Sequence, residues 1–184
     1  MRRDGDHTAD VEAARLGDTD AFERLVRAHA DAVYGHALRF FGDPHAAEDA
    51  AQEVFVKVYR SLATFDGRSS FSTWLYTVTR RVCLDMFRAG KRRPLPVDPL
   101  TAPERATPDF AEGVTEARAL ESAMSALAPE DRDALGAVTL FGLSYAEAAE
   151  ALAVPVGTVK SRVFRARRTL LHVLGEAEAK GGAA

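Results

Sequence analysis

The sequence predicts an all-α protein: two small helical domains joined by a proline-rich linker, the second domain a helix-turn-helix. Three observations carry this. Alanine is abundant and β-branched runs are short, so helix formers dominate and no alternating strand pattern persists. Pro94, Pro96, Pro99, Pro103 and Pro108 break the periodicity between Lys91 and Gly113. Further on, Ser144-Tyr145-Ala146-Glu147 reads as a capping box opening a short alanine-rich helix, with a turn and a basic helix behind it. The 184 residues are 47% hydrophobic and 28% charged, enough apolar material for a core.

In chain order, Asp18 or Asp20 can cap a helix running to about Phe41, with Phe22, Leu25, Val26, Val33 and Phe41 on its apolar side and Gly42 at its end. Asp43 caps the next helix, with Pro44 in the first turn where its missing N–H costs nothing. This helix runs to about Leu62, on a core stripe of Ala47, Ala51, Val54, Phe55 and Val58. A loop, Phe65–Ser70, precedes a helix from Phe71 to Ala89, before Gly90. The second domain opens with Leu120, Ala123, Met124 and Leu127 at helical spacing. Pro129 starts another helix, with Glu130 and Asp131 suiting its dipole and Gly142 stopping it. Val154-Pro155-Val156-Gly157 is the turn before the last helix, with Pro155 suited to the first position of that helix. The boundaries are 1–93, a linker at 94–114, 115–176, and a disordered tail at 177–184.

The formal net charge of −3 conceals a segregated pattern. Residues 68–93 carry seven basic side chains and one acidic; residues 151–175 carry five basic and none acidic. Residues 94–150 carry three basic and eleven acidic. Two basic blocks in an otherwise acidic chain are either two contacts with a polyanion or two solvated helix faces. No run of about 18 apolar residues exists, so no membrane insertion is expected. The N-terminus turns acidic at once, unlike a signal peptide. The single cysteine, Cys83, makes neither an internal disulfide nor a cysteine-based zinc site. Together these features predict a soluble cytoplasmic chain. His7, His29, His36, His45 and His172 form no metal-binding spacing, and no phosphate loop or nucleophile elbow occurs. No enzymatic activity, metal or cofactor is therefore expected.

Projection at about 100° per residue divides the last helix. Val156, Val159, Val163, Ala166 and Leu170 face one side; Thr158, Ser161, Arg165 and Arg168 face the other, with Arg162 at the edge. Lys160 and Arg167 flank the core stripe. Small hydroxyls and arginines on one face suit a major groove, where arginine grips guanine edges and hydroxyls and lysine hold phosphate. On the helix before Gly90, Phe71, Trp74, Leu75, Val78, Val82 and Met86 line one side, and Tyr76, Thr77, Arg80, Phe87 and Arg88 the other. Aromatics among arginines make a platform for single-stranded nucleic acid, although Trp74 reads first as a core residue. On the helix after Pro44, the side opposite the core carries Asp49, Gln52, Glu53, Val56 and Arg60. Composition alone reads it as a solvated face.

Three strings, Ala47-Glu48-Asp49-Ala50-Ala51-Gln52-Glu53-Val54-Phe55, then Phe71-Ser72-Thr73-Trp74-Leu75-Tyr76, then Gly157-Thr158-Val159-Lys160-Ser161-Arg162, resemble a bacterial RNA polymerase sigma factor of the extracytoplasmic-function type. The resemblance spans about 20–93 and 115–172. It implies regions 2 and 4 of that family, bound to core polymerase and reading the −10 and −35 promoter elements. It turns the face of Asp49, Gln52, Glu53 and Val56 into a docking surface for the clamp helices of the β′ subunit. It gives Gly67, Phe71, Trp74, Tyr76, Arg80, Arg81 and Arg88 to −10 recognition and melting. It gives Thr158, Lys160, Ser161, Arg162, Arg165 and Arg168 to −35 recognition. Further partners implied are the β flap, promoter DNA and an anti-sigma factor. The linker would thread toward the polymerase active centre, with Asp98, Glu104 and Asp109 as a partial mimic of nucleic-acid charge. Arg81 stands where the family commonly has asparagine, and Tyr59 where tryptophan is common. A stand-alone helix-turn-helix repressor would account for 115–172 and leave the aromatic-arginine helix unexplained.

Overall fold

The computed structural model describes residues 7–92, 123–124 and 126–181, and every regular element among them is helical. An eight-residue helix that the sequence reading did not anticipate, α1 (Thr8–Arg15), buries Val11. It is tied to the next helix by Asp10, whose Oδ1 accepts from Arg24 Nη2 at 2.7 Å. Of the two candidate caps for α2 (Thr19–Phe41), Asp18 is the one used, accepting from the Asp20 and Ala21 amides at 2.9 and 3.0 Å. Asp43 caps α3 (Pro44–Ser61) through the His45 amide at 2.9 Å, with Pro44 in the first turn. A short 3₁₀ turn, Leu62–Thr64, buries Leu62 and leads to buried Phe65.

The next helix, α4 (Phe71–Arg92), does not end before Gly90 as expected. A lone glycine within a helix costs only about 1 kcal/mol relative to alanine, too little to stop it without a Pro or an αL cap. Cys83 is fully buried beside Ala37, Ala47 and Ala50, and burial pushes its thiol up to about 12. It is therefore a small core residue carrying no reactive thiolate at neutral pH.

In the second half, Ala123, Met124 and Leu127 are buried as expected, while Leu120 and all of 94–114 lie outside the described residues. Helix α5 (Pro129–Thr139) ends three residues before Gly142, which turns the chain. The capping box on α6 (Tyr145–Leu152) is complete: the Glu147 amide donates to Ser144 Oγ at 3.2 Å, and the Ser144 amide donates to Glu147 Oε2 at 2.8 Å. The turn is made differently from the sequence reading. Ala153 takes the left-handed conformation (φ 53°), and Pro155 precedes α7 (Val156–Gly181) instead of opening it. Val156, expected inside, is consequently exposed. Helix α7 also continues to Gly181, through much of the stretch expected to be a disordered tail. Its core stripe is as expected, with Val159, Val163 and Ala166 buried and Leu170 packed against the core.

The two halves are not separate bodies held only by a tether. Buried residues of both belong to one apolar cluster. Its seam joins α2 and α4 to α5 and the α5–α6 turn. His36 and Tyr76 set their rings 6.0 and 5.2 Å from Phe141. Gly136 lets α5 approach α2: a Cβ there would sit 3.3 Å from His36 Nδ1. Across the same seam Tyr76 Oη donates to the Asp133 carbonyl at 3.2 Å, and Arg132 Nη1 to the Arg39 carbonyl at 3.1 Å.

Candidate nucleic-acid interface

Helix α4 divides much as its spacing implies, with one exception. Phe71 is buried and Trp74 half-buried, their rings 5.8 Å apart and both within about 6 Å of Phe65. Arg81 and Arg88 are exposed. Tyr76, expected on the accessible side with the arginines, is fully buried, because α5 lies over it. Burial and the nearby Asp133 hold its phenol well above the usual range. Arg80 is half-buried, its side chain 35% exposed, and its Nε donates to Asp133 Oδ2 at 2.9 Å. Thr77, Arg80, Arg81, Asp85 and Arg88 still line an open groove of about 340 Å³, closed at one side by Ala151 of α6.

The loop before α4 is built by short polar contacts. Asp66 Oδ1 accepts from the Arg68 amide at 3.1 Å, and exposed Gly67 adopts a φ of 71°, which favours glycine. Ser70 Oγ takes the Thr73 amide at 3.2 Å, so it caps α4. The same hydroxyl donates to Glu147 Oε1 at 3.0 Å, and Thr73 Oγ1 lies 3.4 Å from that oxygen. Glu147 thus caps α6 with one carboxylate oxygen and reaches α4 with the other. Hydrogen bonds from Ser144, then from Ser70 and Thr73, hold its carboxyl below the usual range, against the opposing effect of burial.

On α7 the outward face carries exposed Lys160, Ser161, Arg165 and Arg168, with Thr158 and Arg162 half-buried at its margins. Arg165 is engaged: Nε donates to Asp131 Oδ2 at 3.0 Å and Nη2 to Oδ1 at 2.6 Å, which raises the guanidinium further above its usual range. Phe164, on which the sequence reading placed no role, is exposed. On α3, Asp49, Gln52 and Val56 are exposed and Glu53 is half-buried, 3.9 Å from Lys57. Val56 (41% exposed) is joined by Tyr59 (57%), whose ring lies 5.0 Å from Phe22. Tyr59 therefore extends an apolar patch that the sequence presented as a single exposed valine.

Sequence reasoning missed the α5 carboxylates Asp131 and Asp133, which meet Arg165 and Arg80, and the reach of Glu147 on α6 to Ser70. It placed charge mimicry at Asp98, Glu104 and Asp109, which lie outside the described residues. The acidity of the segment 94–150 was the available signal, but it does not say which carboxylate faces which cation. Among the described residues no group of three or more His, Cys, Asp or Glu could hold a metal ion, and no helix is long and apolar enough to cross a membrane.

An all-α chain with an arginine-rich helix in one half and a capped helix-turn-helix in the other has the architecture on which two-module nucleic-acid-binding proteins are built. Residues 25–93 match Sigma-70 region 2, and residues 117–170 match Sigma-70 region 4. The chain belongs to the RNA polymerase sigma factors of the extracytoplasmic-function type. The RNA polymerase sigma-H factor of Pseudomonas aeruginosa is 37% identical over 176 residues, covering 87% of this chain and 89% of that one. The ECF RNA polymerase sigma factor SigE of Mycolicibacterium smegmatis is 37% identical over 165 residues, 85% of this chain and 62% of that longer one. Among solved structures, CnrH in complex with the cytosolic domain of CnrY shares the fold at a TM-score of 0.69 and 24% identity, covering 91% of this chain and 96% of that one. RpoE in complex with the anti-sigma factor NepR from Bartonella quintana does so at 0.64 and 22%, covering 84% and 96%. As a member of this family the chain acts in promoter-specific transcription initiation with RNA polymerase.

Proposed function

We propose that this chain delivers core RNA polymerase to promoters by reading two DNA elements, and that its residues divide as follows. The α3 face of Asp49, Gln52, Glu53, Val56 and Tyr59 meets the β′ clamp helices; a polar rim around exposed apolar side chains suits such docking. Gly67, Phe71, Trp74, Arg80, Arg81 and Arg88 melt and read the −10 element, offsetting an unstacking cost of a few kcal/mol with pocket contacts, while buried Tyr76 supports their helix from inside. Thr158, Lys160, Ser161, Arg162, Arg165 and Arg168 read the −35 duplex, with the rest of that module against the β flap. Each module binds weakly alone; polymerase fixes both at one spacing and makes binding bivalent. The chain works in the cytoplasm, performs no covalent chemistry, and is open to an anti-sigma partner. The observation that carries this reading is the pairing of the α4 arginine ridge with the capped helix-turn-helix in one chain.

Run-off transcription on a genomic fragment library tests it. Core polymerase plus this chain is expected to yield defined transcripts that core polymerase alone does not. Inhibition without new start sites would instead identify a repressor.

Two substitutions separate the surfaces. Arg165→Ala is expected to weaken upstream promoter contact by roughly 10- to 100-fold in holoenzyme footprints while leaving polymerase association unchanged. An unaltered upstream footprint would remove α7 from recognition. Asp49→Ala with Gln52→Ala is expected to lower affinity for core polymerase about tenfold or more, measured by co-purification at matched concentrations. Undiminished recovery would remove the α3 face from docking.

A further inference from the structure

We propose that Asp131 is a positioning residue for upstream promoter recognition: from the first turn of α5 it fixes the Arg165 guanidinium so that one edge is presented to a guanine in the major groove. This rests on the reading of α7 given above. Asp131 is only 7% exposed, a rare place for a carboxylate unless it is paired. Both of its side-chain oxygens are engaged by Arg165: Nε donates to Oδ2 at 3.0 Å and Nη2 to Oδ1 at 2.6 Å. Among the described residues, Arg165 is the one arginine of α7 in an ion pair. The Asp131 side chain is 10% exposed and the Arg165 side chain 51%. The carboxylate is thus the buried, fixed end of the pair, and the guanidinium its accessible end.

Local structure makes this end rigid. Asp131 follows Pro129 into α5, where an acid suits the helix dipole, and its amide donates to the Ala128 carbonyl at 3.0 Å. Helix α5 packs on α7, with Ala134 and Leu135 of one and Val163 and Ala166 of the other buried. The two hydrogen bonds use the side edge of the guanidinium, Nε–H and one Nη2–H. They leave the end edge, Nη1–H and the other Nη2–H, as a fork of parallel donors. Guanine offers O6 and N7 as the matching pair of acceptors. Holding the long side chain before DNA arrives removes the rotamer freedom that a loose arginine would lose on contact. The carboxylate also offsets the arginine's charge, so the group gains less from a bare phosphate. Both effects shift Arg165 from general attraction to base reading.

The test is a double-mutant cycle in holoenzyme. Parent, Asp131→Ala, Arg165→Ala and the double variant are each combined with core polymerase. Affinity is measured for a promoter fragment from the run-off library, for copies with each upstream base pair substituted in turn, and for a fragment without a promoter. Arg165→Ala identifies the base pair whose preference depends on the guanidinium. At that pair Asp131→Ala is expected to lower the preference about tenfold. Affinity for the fragment without a promoter is expected to hold or rise by up to about threefold, with a salt dependence steeper by up to about one, because a released arginine can hold phosphate. In the Arg165→Ala background the same substitution is expected to change none of these. Arg165 is half exposed, so its release leaves no buried unpaired cation. Should Asp131→Ala lack native circular dichroism, Asp131→Asn, which keeps the side-chain shape and weakens the pair, carries the test with the same signs. An unchanged base preference overturns the proposal. So does an equal loss in the Arg165→Ala background, which would make Asp131 merely structural, and so does tighter promoter binding by Asp131→Ala, which would make it a competitor of DNA. If Arg165→Ala alters no base preference, or no fragment is transcribed, the reading of α7 itself fails and the proposal falls with it.

Discussion

Tyr76→Ala is expected to cost the folded chain about 3–5 kcal/mol of unfolding free energy, read as a lower urea midpoint in Trp74 fluorescence. The side chain is fully buried, and its ring touches His36 and Phe141 at centroid distances of 5.5 and 5.2 Å. Removing it opens a cavity between α2, α4 and the α5–α6 turn, where helices from both halves meet and cannot collapse without losing other contacts. Against a total stability of roughly 5–15 kcal/mol, such a loss leaves a marginal protein. Tyr76→Phe isolates the hydroxyl. It removes only the 3.2 Å bond to the Asp133 carbonyl, with an expected cost of about 1 kcal/mol. A cost below about 1 kcal/mol for the alanine variant would mean that the seam is not part of the cooperative fold in solution.

Acid is expected to weaken the same seam through His36. Burial is the main cause that lowers its pKa from the usual 6.5 to about 4. Asp133 works the other way, while Arg39 and Arg80 add to the lowering. Its Nε2 is buried with no hydrogen-bond partner among the described residues, so a proton there would be poorly accommodated. The unfolded chain takes up this proton near pH 6.5, whereas the folded chain resists until about pH 4. The unfolded state therefore binds more protons in that window, and stability falls as pH falls through it. The full loss is about 3 kcal/mol, complete below about pH 4. Urea midpoints between pH 7 and pH 4 should show this slope, and His36→Gln should flatten it. A parent and variant with parallel pH profiles would show that His36 does not report on folding. Glu147, held below the usual carboxylate range by Ser144, Ser70 and Thr73, loses its contribution at lower pH than an ordinary glutamate, so the two effects separate along the titration.

Local chemistry made most of the helices legible. Asp18, Asp43 and Ser144 are short-range caps, settled within three residues of themselves, and each acts as its position suggests. The stripe of Val159, Val163 and Ala166 follows from helical period alone. Where the reading failed, a weak local signal met stronger surroundings. Gly90 did not stop α4, and Ala153, with no glycine signature, took the left-handed turn. Tyr76 failed for a different reason. Its place on the polar side of α4 was judged from its own helix, and the element that buries it arrives from more than 50 residues away.

The amino-acid order by itself determined that the chain is helical, which sides of α3, α4 and α7 are apolar and where cations gather, because each of these is a matter of spacing within a few turns; the family was legible through the resemblance of three separate strings to known members. Only the tertiary structure decided that Asp131, Asp133 and Glu147 answer Arg165, Arg80 and Ser70, that Tyr59 enlarges the patch around Val56, and that His36 loses its water. Partners across a seam are selected by which surfaces of two folded halves fit together, a long-range outcome of packing that neither a helical period nor a charge count encodes.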